Sequence, residues 1–359
     1  MTVQPMPAMP GSGSAPSTEI FRGDNLAVME TMSDSTVDLV YLDPPFNTAR
    51  DRTVELELGG ERRSFTDCWE SIEAYLDFLR PRLPEAVRLL RDGGSLFIHC
   101  DWRTSHYLRV EADDLLGYES LVNEIIWRRH NGHNDSRQGT RHFGRIADTI
   151  LFYGKGDRRV WQPTYRPYDP DYVDRTYRYV ESRTGRRYAL SDLSGPGGTV
   201  AGNPVFEFKG VTRAWRHSKE RLQELDMVGE IVVSQPGGVP RRKRYLDEMP
   251  GYLIQCIWDD IPCPRGNEIV HYPTQKPLAL LKRIILATTI PGEIIFDPFC
   301  GSGTSLLAAA QLRRQAIGID ASSVAVELSR ERIAKWTQNV SFTAENKSSS
   351  KITGRTPSS

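Results

Sequence analysis

The chain is poor in cysteine, has no long hydrophobic run and carries no net charge. Five cysteines stand among 359 residues (Cys68, Cys100, Cys256, Cys263 and Cys300). They are odd in number and scattered, which argues against a disulfide framework and leaves no pair at metal-finger spacing; they read as reduced, buried thiols and imply no metal. No apolar run approaches the roughly 20 residues that cross a bilayer, and no basic stretch leads into an apolar one near the start. The expectation is a soluble, cytoplasmic protein with no membrane partner. With 46 basic residues against 46 acidic ones, any surface for nucleic acid must come from local clustering.

Such clustering is present. Between Arg128 and Arg187 fourteen Lys and Arg meet seven Asp and Glu, interleaved with tyrosines, and Arg241-Arg-Lys-Arg244 adds a further basic run. A solvated basic face is the plain alternative for both. The length suits one large α/β domain carrying an insertion. Residues 1–18 (Met, Pro, Gly, Ser) and 342–359 (mostly Ser, Thr, Lys) have almost nothing to bury and read as disordered tails. Residues 19–153 contain an amphipathic helix (Asn25 to Met32), a strand (Val37 to Leu42), a helix (Ser71 to Leu90), a Gly93-Gly94 break and a strand (Ser95 to His99). Strands follow at Leu121 to Trp127 and Thr149 to Tyr153. Residues 154–271 lose this pattern and read as the insertion. It returns over 272–341: helix Lys276 to Thr288, strand Glu293 to Phe296, a Gly-rich turn, helix Ser305 to Leu312, strand Gln315 to Ile319 and a last helix from Ser323. Strands alternating with helices at both ends predict one doubly wound, mostly parallel, Rossmann-like sheet.

Two turns carry chemistry. The strand ending in Asp297-Pro298-Phe299-Cys300-Gly301-Ser302-Gly303-Thr304 opens a helix, a geometry that lets backbone approach a nucleotide-like ligand. It is neither a dinucleotide fingerprint, since Leu306 stands where a third glycine is wanted, nor a phosphate loop, since Gly-Lys-Ser/Thr is missing. Asp320 ends the next strand, where a carboxylate receives ribose hydroxyls; a helix N-cap is its bland alternative. Asp43-Pro44-Pro45-Phe46 follows another strand. The prolines stiffen the turn, so the Pro44 carbonyl and the Asp43 carboxylate form two fixed acceptors for one amine. An aromatic amine is a poor nucleophile because its lone pair is delocalised; gripping both protons favours a pyramidal nitrogen that can meet a methyl group. Phe46 adds a stacking face for a base taken out of a duplex. A rigid turn with a capping Asp is the alternative.

Together these segments resemble the β group of DNA amino-methyltransferases, in which the catalytic half precedes the cofactor half. The likeness runs from Ile20 to Lys335 and rests on Gly23-Asp24, Asp43 to Phe46, Ser95 to His99, Asn123 to Trp127, Asp148 to Tyr153, Tyr272-Pro-Thr-Gln-Lys-Pro277, Phe296 to Thr304 and Gly318 to Asp320. It implies an S-adenosylmethionine-dependent methyltransferase fold. Asp24 would contact the cofactor adenine, Thr274, Gln275 and Lys276 its methionine end, and residues 154–271 would recognise the target in double-stranded DNA. Phe46 departs from the family's more frequent Tyr, which removes a hydroxyl and keeps the ring.

Asp43, where cytosine-N4 enzymes have Ser, resembles the adenine-N6 type, so the expected activity is adenine-N6 methylation with base flipping. Cytosine N4, an RNA or protein-amide acceptor, and a fold that no longer turns over are the other readings. The resemblance also implies a homodimer and a cognate restriction enzyme as partners.

Overall fold

The computed structural model describes residues 17–48, 50–55, 62–130, 141–270 and 272–352. Residues 1–16 of the tail expected over 1–18, residues 353–359, His271 and part of the first basic stretch, Arg137 included, lie outside the described residues, whereas Thr18 already belongs to an edge strand paired with Ala316. The chain divides into two compact units, Met1–Thr164 with Gln255–Ser359, and Tyr165–Ile254.

The first unit begins with β1 (Thr18–Arg22), α1 (Asn25–Glu30), β2 (Val37–Leu42), β3 (Arg50–Glu55), β4 (Arg62–Asp67), α2 (Ile72–Leu79), α3 (Arg82–Leu89), β5 (Leu90–Cys100), α4 (Ser105–Leu116), β6 (Leu121–Arg128) and β7 (Ala147–Gly154). The second unit holds β8 (Tyr165–Arg166), α5 (Pro170–Thr176), β9 (Tyr179–Val180), β10 (Arg187–Asp192), β11 (Val205–Phe208), β12 (Val211–Ala214), α6 (Lys219–Met227), β13 (Ile231–Val232), β14 (Arg241–Tyr245) and β15 (Tyr252–Leu253). The first unit resumes with β16 (Ile257–Trp258), α7 (Leu278–Thr288), β17 (Ile294–Asp297), α8 (Thr304–Gln311), β18 (Gln315–Asp320) and α9 (Ser323–Ile352).

One eight-stranded sheet organises the first unit, in the order β1-β18-β17-β2-β5-β7-β6-β16. Only β7 runs against its neighbours, so the expected mostly parallel, Rossmann-like sheet is the observed one. β2 reads Val-Asp-Leu-Val-Tyr-Leu and is buried along its whole length, as a strand covered on both faces must be. Its Leu42, with Leu96, Ile98, Leu89 and Phe296, belongs to a core that also takes in Leu79, Leu83 and Ala86 from α2 and α3.

Several local expectations change. The single helix over Ser71 to Leu90 is two, α2 and α3, because Pro81 has no N–H to continue the hydrogen-bond ladder. Gly93-Gly94 does not end an element. It sits within β5, where the register against β2 shifts between Val37 and Leu39 and Gly93 takes φ +80°, a bulge that glycine admits. α9 reaches Ile352 and so takes in residues 342–352 of the segment expected to be unstructured; these contain no glycine or proline to stop a helix. The cysteines are not uniformly buried: Cys100 and Cys300 are, whereas Cys68 and Cys256 are exposed and Cys263 is half-buried. The last three lie in loops, outside the strands that make the core. Among the described residues no helix is long and apolar enough to cross a membrane.

The second unit has its own antiparallel sheet, β13-β14-β10-β9, and a small core of Leu193, Phe208, Trp215, Leu222 and Leu225. The basic run Arg241 to Arg244 is strand β14 and is partly neutralised within the unit, with Arg242 paired to Glu230 and Lys243 to Glu181.

Candidate active site

The sheet order creates a crevice. From β2 the chain crosses to β5 on one side, and from β17 it crosses to β18 on the other, while β2 and β17 are themselves paired neighbours. Loops leaving their carboxyl ends diverge, which is where open α/β sheets bind ligands. A cavity of about 410 Å³ opens at this edge, and every residue given a catalytic or cofactor-binding role from the sequence lines it except Gln275 and Gly303. Segments 228 residues and more apart in sequence, Asp43 to Phe46 and Thr274 to Asp320, thus face one space.

On the β2 side, Lys276 Nζ donates to both oxygens of Asp43, at 2.6 and 2.5 Å, and lies 4.9 Å from the centre of the Phe46 ring. Pro44 is buried while Asp43, Pro45 and Phe46 are half-buried, so the turn is held but its acceptor and ring reach the cavity. Asn47 follows in the left-handed region at φ +54°, which Asn tolerates better than most residues. Its Oδ1 accepts from the Trp69 backbone N–H at 3.3 Å, and Thr48 Oγ1 donates to Asp67. Asp67 and Trp69 also line the cavity.

On the β17 side, Asp297 is buried, accepting from the Phe299 N–H at 3.0 Å and from the Ser305 hydroxyl. Burial pushes its carboxyl up to about 7; the Ser305 bond works against this, and the charges of Asp43 and Asp320 reinforce it. Gly301 (φ +50°) donates its N–H to Asp320 Oδ2 at 2.9 Å, and Ser322 N–H donates to Oδ1 at 2.8 Å. Burial raises the Asp320 pKa as well, against those two bonds. Each Asp320 oxygen keeps a further lone pair for a ligand hydroxyl. Gly303 (φ +70°) does not touch the cavity but caps α8, and a Cβ there would stand 2.6 Å from Ser329 Oγ. Arg332 on α9 donates to the Ser302 carbonyl and to Thr304 Oγ1 at 3.1 Å, bracing the turn from behind. Gln275 braces its own loop, donating to the Glu268 carbonyl at 2.6 Å and accepting from the Val270 N–H at 2.9 Å.

A third group closes the far end. Asp24 caps α1 through the Leu26 N–H and pairs with Arg82 at 3.0 Å. Arg82 Nε donates to Asn25 Oδ1 at 2.7 Å, and Asn25 Nδ2 donates to the Pro298 carbonyl at 2.9 Å, so the Gly23 loop is tied to the β17 turn. The guanidinium lies 3.8 Å from the centre of the Phe78 ring, and that ring is 6.3 Å from Phe299. Burial lowers the Arg82 pKa, opposed by Asp24. Asn25, Phe78, Arg82 and Trp69 were not singled out from the sequence, and no local pattern marks them: they come from helices and loops whose spacing reports only the core.

A family model named N6_N4_Mtase, described as DNA methylase, matches residues 37–331. The chain belongs to this family of DNA methylases. Type II methyltransferase M.EcaI of Enterobacter cloacae is 30% identical over 329 residues, covering 89% of this chain and 70% of that protein. The Mod subunit of the type III restriction-modification enzyme StyLTI of Salmonella typhimurium is 26% identical over 82% of this chain and 50% of its own length, so the chain spans half of that relative. DNA adenine methyltransferase YhdJ of Escherichia coli is 25% identical, covering 88% of this chain and 82% of that protein.

Proposed function

We propose that this chain transfers a methyl group from S-adenosylmethionine to the exocyclic N6 amine of adenine in duplex DNA, on a base flipped out of the helix. The observation that carries this reading is the shared cavity at the sheet's switch point, with the Asp43 turn on one wall and the Gly301 turn and Asp320 on the other. The pattern is that of a permuted, β-group amino-methyltransferase with Asp-Pro-Pro-Phe as its catalytic motif.

The cofactor fits the chemistry of the lining. Asp320 has acceptors left for ribose hydroxyls, Phe299 and Phe78 offer apolar walls beside Asp24, and Lys276 supplies a cation suited to a carboxylate. When bound, the cofactor supplies an electrophilic methyl on a sulfonium. The chain's own residues do the rest. Asp43 and the Pro44 carbonyl accept hydrogen bonds from the two amine N–H groups and aim the nitrogen lone pair; an ionised carboxylate has about four acceptor sites, so the Lys276 bonds leave room for one more donor. Phe46 stacks on the base. Asp43 need not deprotonate the amine beforehand: once methylated, the nitrogen is cationic and acidic, and its proton passes to Asp43 or to water.

Adenine is favoured over cytosine by Asp43 at the first motif position and by the likeness to YhdJ, a DNA adenine methyltransferase. The names of M.EcaI and the StyLTI Mod subunit favour a role beside a restriction enzyme. Residues 154–271, including the unit Tyr165–Ile254, are the region assigned to target recognition, and a homodimer is the expected assembly. The test is methylome sequencing of a host expressing this chain alone, with nucleoside analysis of the DNA. N6-methyladenine at one recurring sequence, lost in Asp43→Ala, is the expected result. N4-methylcytosine would overturn the base assignment, and unmodified DNA the whole reading.

A further inference from the structure

Beneath the Asp43 turn, buried polar side chains run across three neighbouring strands. Tyr41 on β2, two residues before Asp43, lies 2.6 Å by its hydroxyl from His99 Nδ1 on β5. His99 Nε2 lies 3.2 Å from Asp148 Oδ2 on β7, and Arg129 forms an ion pair with the other Asp148 oxygen at 3.0 Å. His99 has no exposed surface, and Tyr41 and Asp148 are each only 2% exposed. A carboxylate only accepts hydrogen bonds, so the imidazole proton belongs on Nε2, and Nδ1 is left to accept from Tyr41.

Such a row is a poor way to stabilise a sheet. Desolvating these groups costs roughly what their hydrogen bonds return, and apolar residues of similar volume serve stability as well or better. What the row does hold in place is an imidazole ring directly behind the catalytic turn: the His99 and Phe46 ring centres are 5.5 Å apart at 38°, with Trp127 edge-on at 5.6 Å. The Lys276 ammonium that grips Asp43 also lies 4.9 Å from the Phe46 ring centre. Phe46 itself belongs to a turn outside any strand, so backbone pairing does not set its ring plane.

We propose that His99, aimed by Tyr41 and Asp148, is a positioning residue of the methyl transfer: it backs the Phe46 ring and so fixes the plane on which the target base stacks. The inference rests on the function proposed above. Burial and the Lys276 ammonium hold the His99 pKa below the ordinary imidazole value, against the pull of Asp148 and Asp43, so the ring stays neutral and keeps both bonds.

The test is a set of double-mutant cycles on the full chain, using His99→Ala, Tyr41→Phe and Phe46→Ala, with kcat on DNA and cofactor affinity by calorimetry as readouts. His99→Ala should lower kcat roughly 10- to 100-fold, as a misplaced reacting group does, with cofactor affinity unchanged. Tyr41→Phe, which removes one hydroxyl and leaves the packing, should lower kcat less. In the Phe46→Ala background neither should cost anything further, since the ring they serve is gone. Losses that add in full to that of Phe46→Ala, or that appear equally in cofactor affinity, would overturn the proposal, as would wild-type kcat in Tyr41→Phe. That last measurement decides the matter if His99→Ala fails to fold. A wild-type protein that transfers no methyl group to DNA would remove the proposed function and this inference with it.

Discussion

Lys276 and Asp43, 233 positions apart, form a two-pronged ion pair with Nζ at 2.6 and 2.5 Å from the carboxylate oxygens. The pair joins the two halves of the family pattern in a single contact, and its side chains are only 11% and 15% exposed. Removing one partner strands the other charge in a site with little water. Asp43→Ala should therefore cost at least about 10²-fold in methyl transfer while leaving cofactor binding measurable by calorimetry. Lys276→Met should weaken both. Retained turnover in Asp43→Ala would be incompatible with the proposed amine clamp.

Phe46 offers a separable test. Phe46→Tyr keeps the ring and should leave turnover close to wild type. Phe46→Ala removes the stacking face, a change worth about 1–3 kcal/mol per base, and the loss should be read in kcat on DNA rather than in cofactor affinity. Equal activity of the two variants would mean that the base does not stack there.

Asp297 predicts a pH effect. Its carboxyl titrates near 7 in the folded protein against an ordinary value of 3.8. The folded chain thus keeps this proton to higher pH than the unfolded chain. The stability that the proton confers is complete below about pH 4 and is lost as pH rises through about 7. A cofactor carrying a sulfonium and an ammonium favours the ionised form, so binding near pH 7 should expel protons. Calorimetry in two buffers of different ionisation enthalpy would measure this; Asp297→Asn should shrink the difference, and wild-type binding without proton exchange would contradict the assignment.

Gly303 is sensitive for geometric reasons. Gly303→Ala meets both a left-handed backbone and a Cβ 2.6 Å from Ser329 Oγ, and strain of this kind costs about 1–3 kcal/mol. A lower melting temperature and weaker cofactor binding are expected together. Ser329 Oγ also donates to the Gly301 carbonyl at 2.9 Å, so displacing it loosens the turn at a second point; unchanged melting temperature and cofactor affinity would contradict this account.

Much of this arrangement was legible because strand-to-turn chemistry is local. A buried strand ending in Asp-Pro-Pro-Phe, and another ending in Asp-Pro-Phe-Cys-Gly-Ser-Gly, announce their turns within a few residues, and parallel strands put such turns on one edge. The pieces that escaped are those whose partners are chosen by tertiary packing. Arg82 follows a helix-breaking proline and looks like a surface charge until Asp24 and Asn25 arrive from 57 or more residues away. His99 and Tyr41 read simply as strand residues, since a hydrogen bond across strands leaves no trace in either sequence. Gln275 was given to a ligand by its motif, whereas its amide is spent on the backbone of its own loop. The second unit stayed opaque because its described strands are all short, of two to six residues, and alternate too briefly to show a period.

The outermost strand β1 lies parallel to β18, with Arg22 opposite Asp320 and the Gly23 N–H bonded to the Asp320 carbonyl at 3.1 Å. One wall of the cavity therefore joins Gly23 to Asp320, 297 positions away in the chain. Loosening β1 from the sheet edge would thus shift the Gly23–Asp24 loop and the backbone of Asp320 together, so an edge-strand lesion that touches no cavity side chain should still weaken the binding of whatever occupies the cavity.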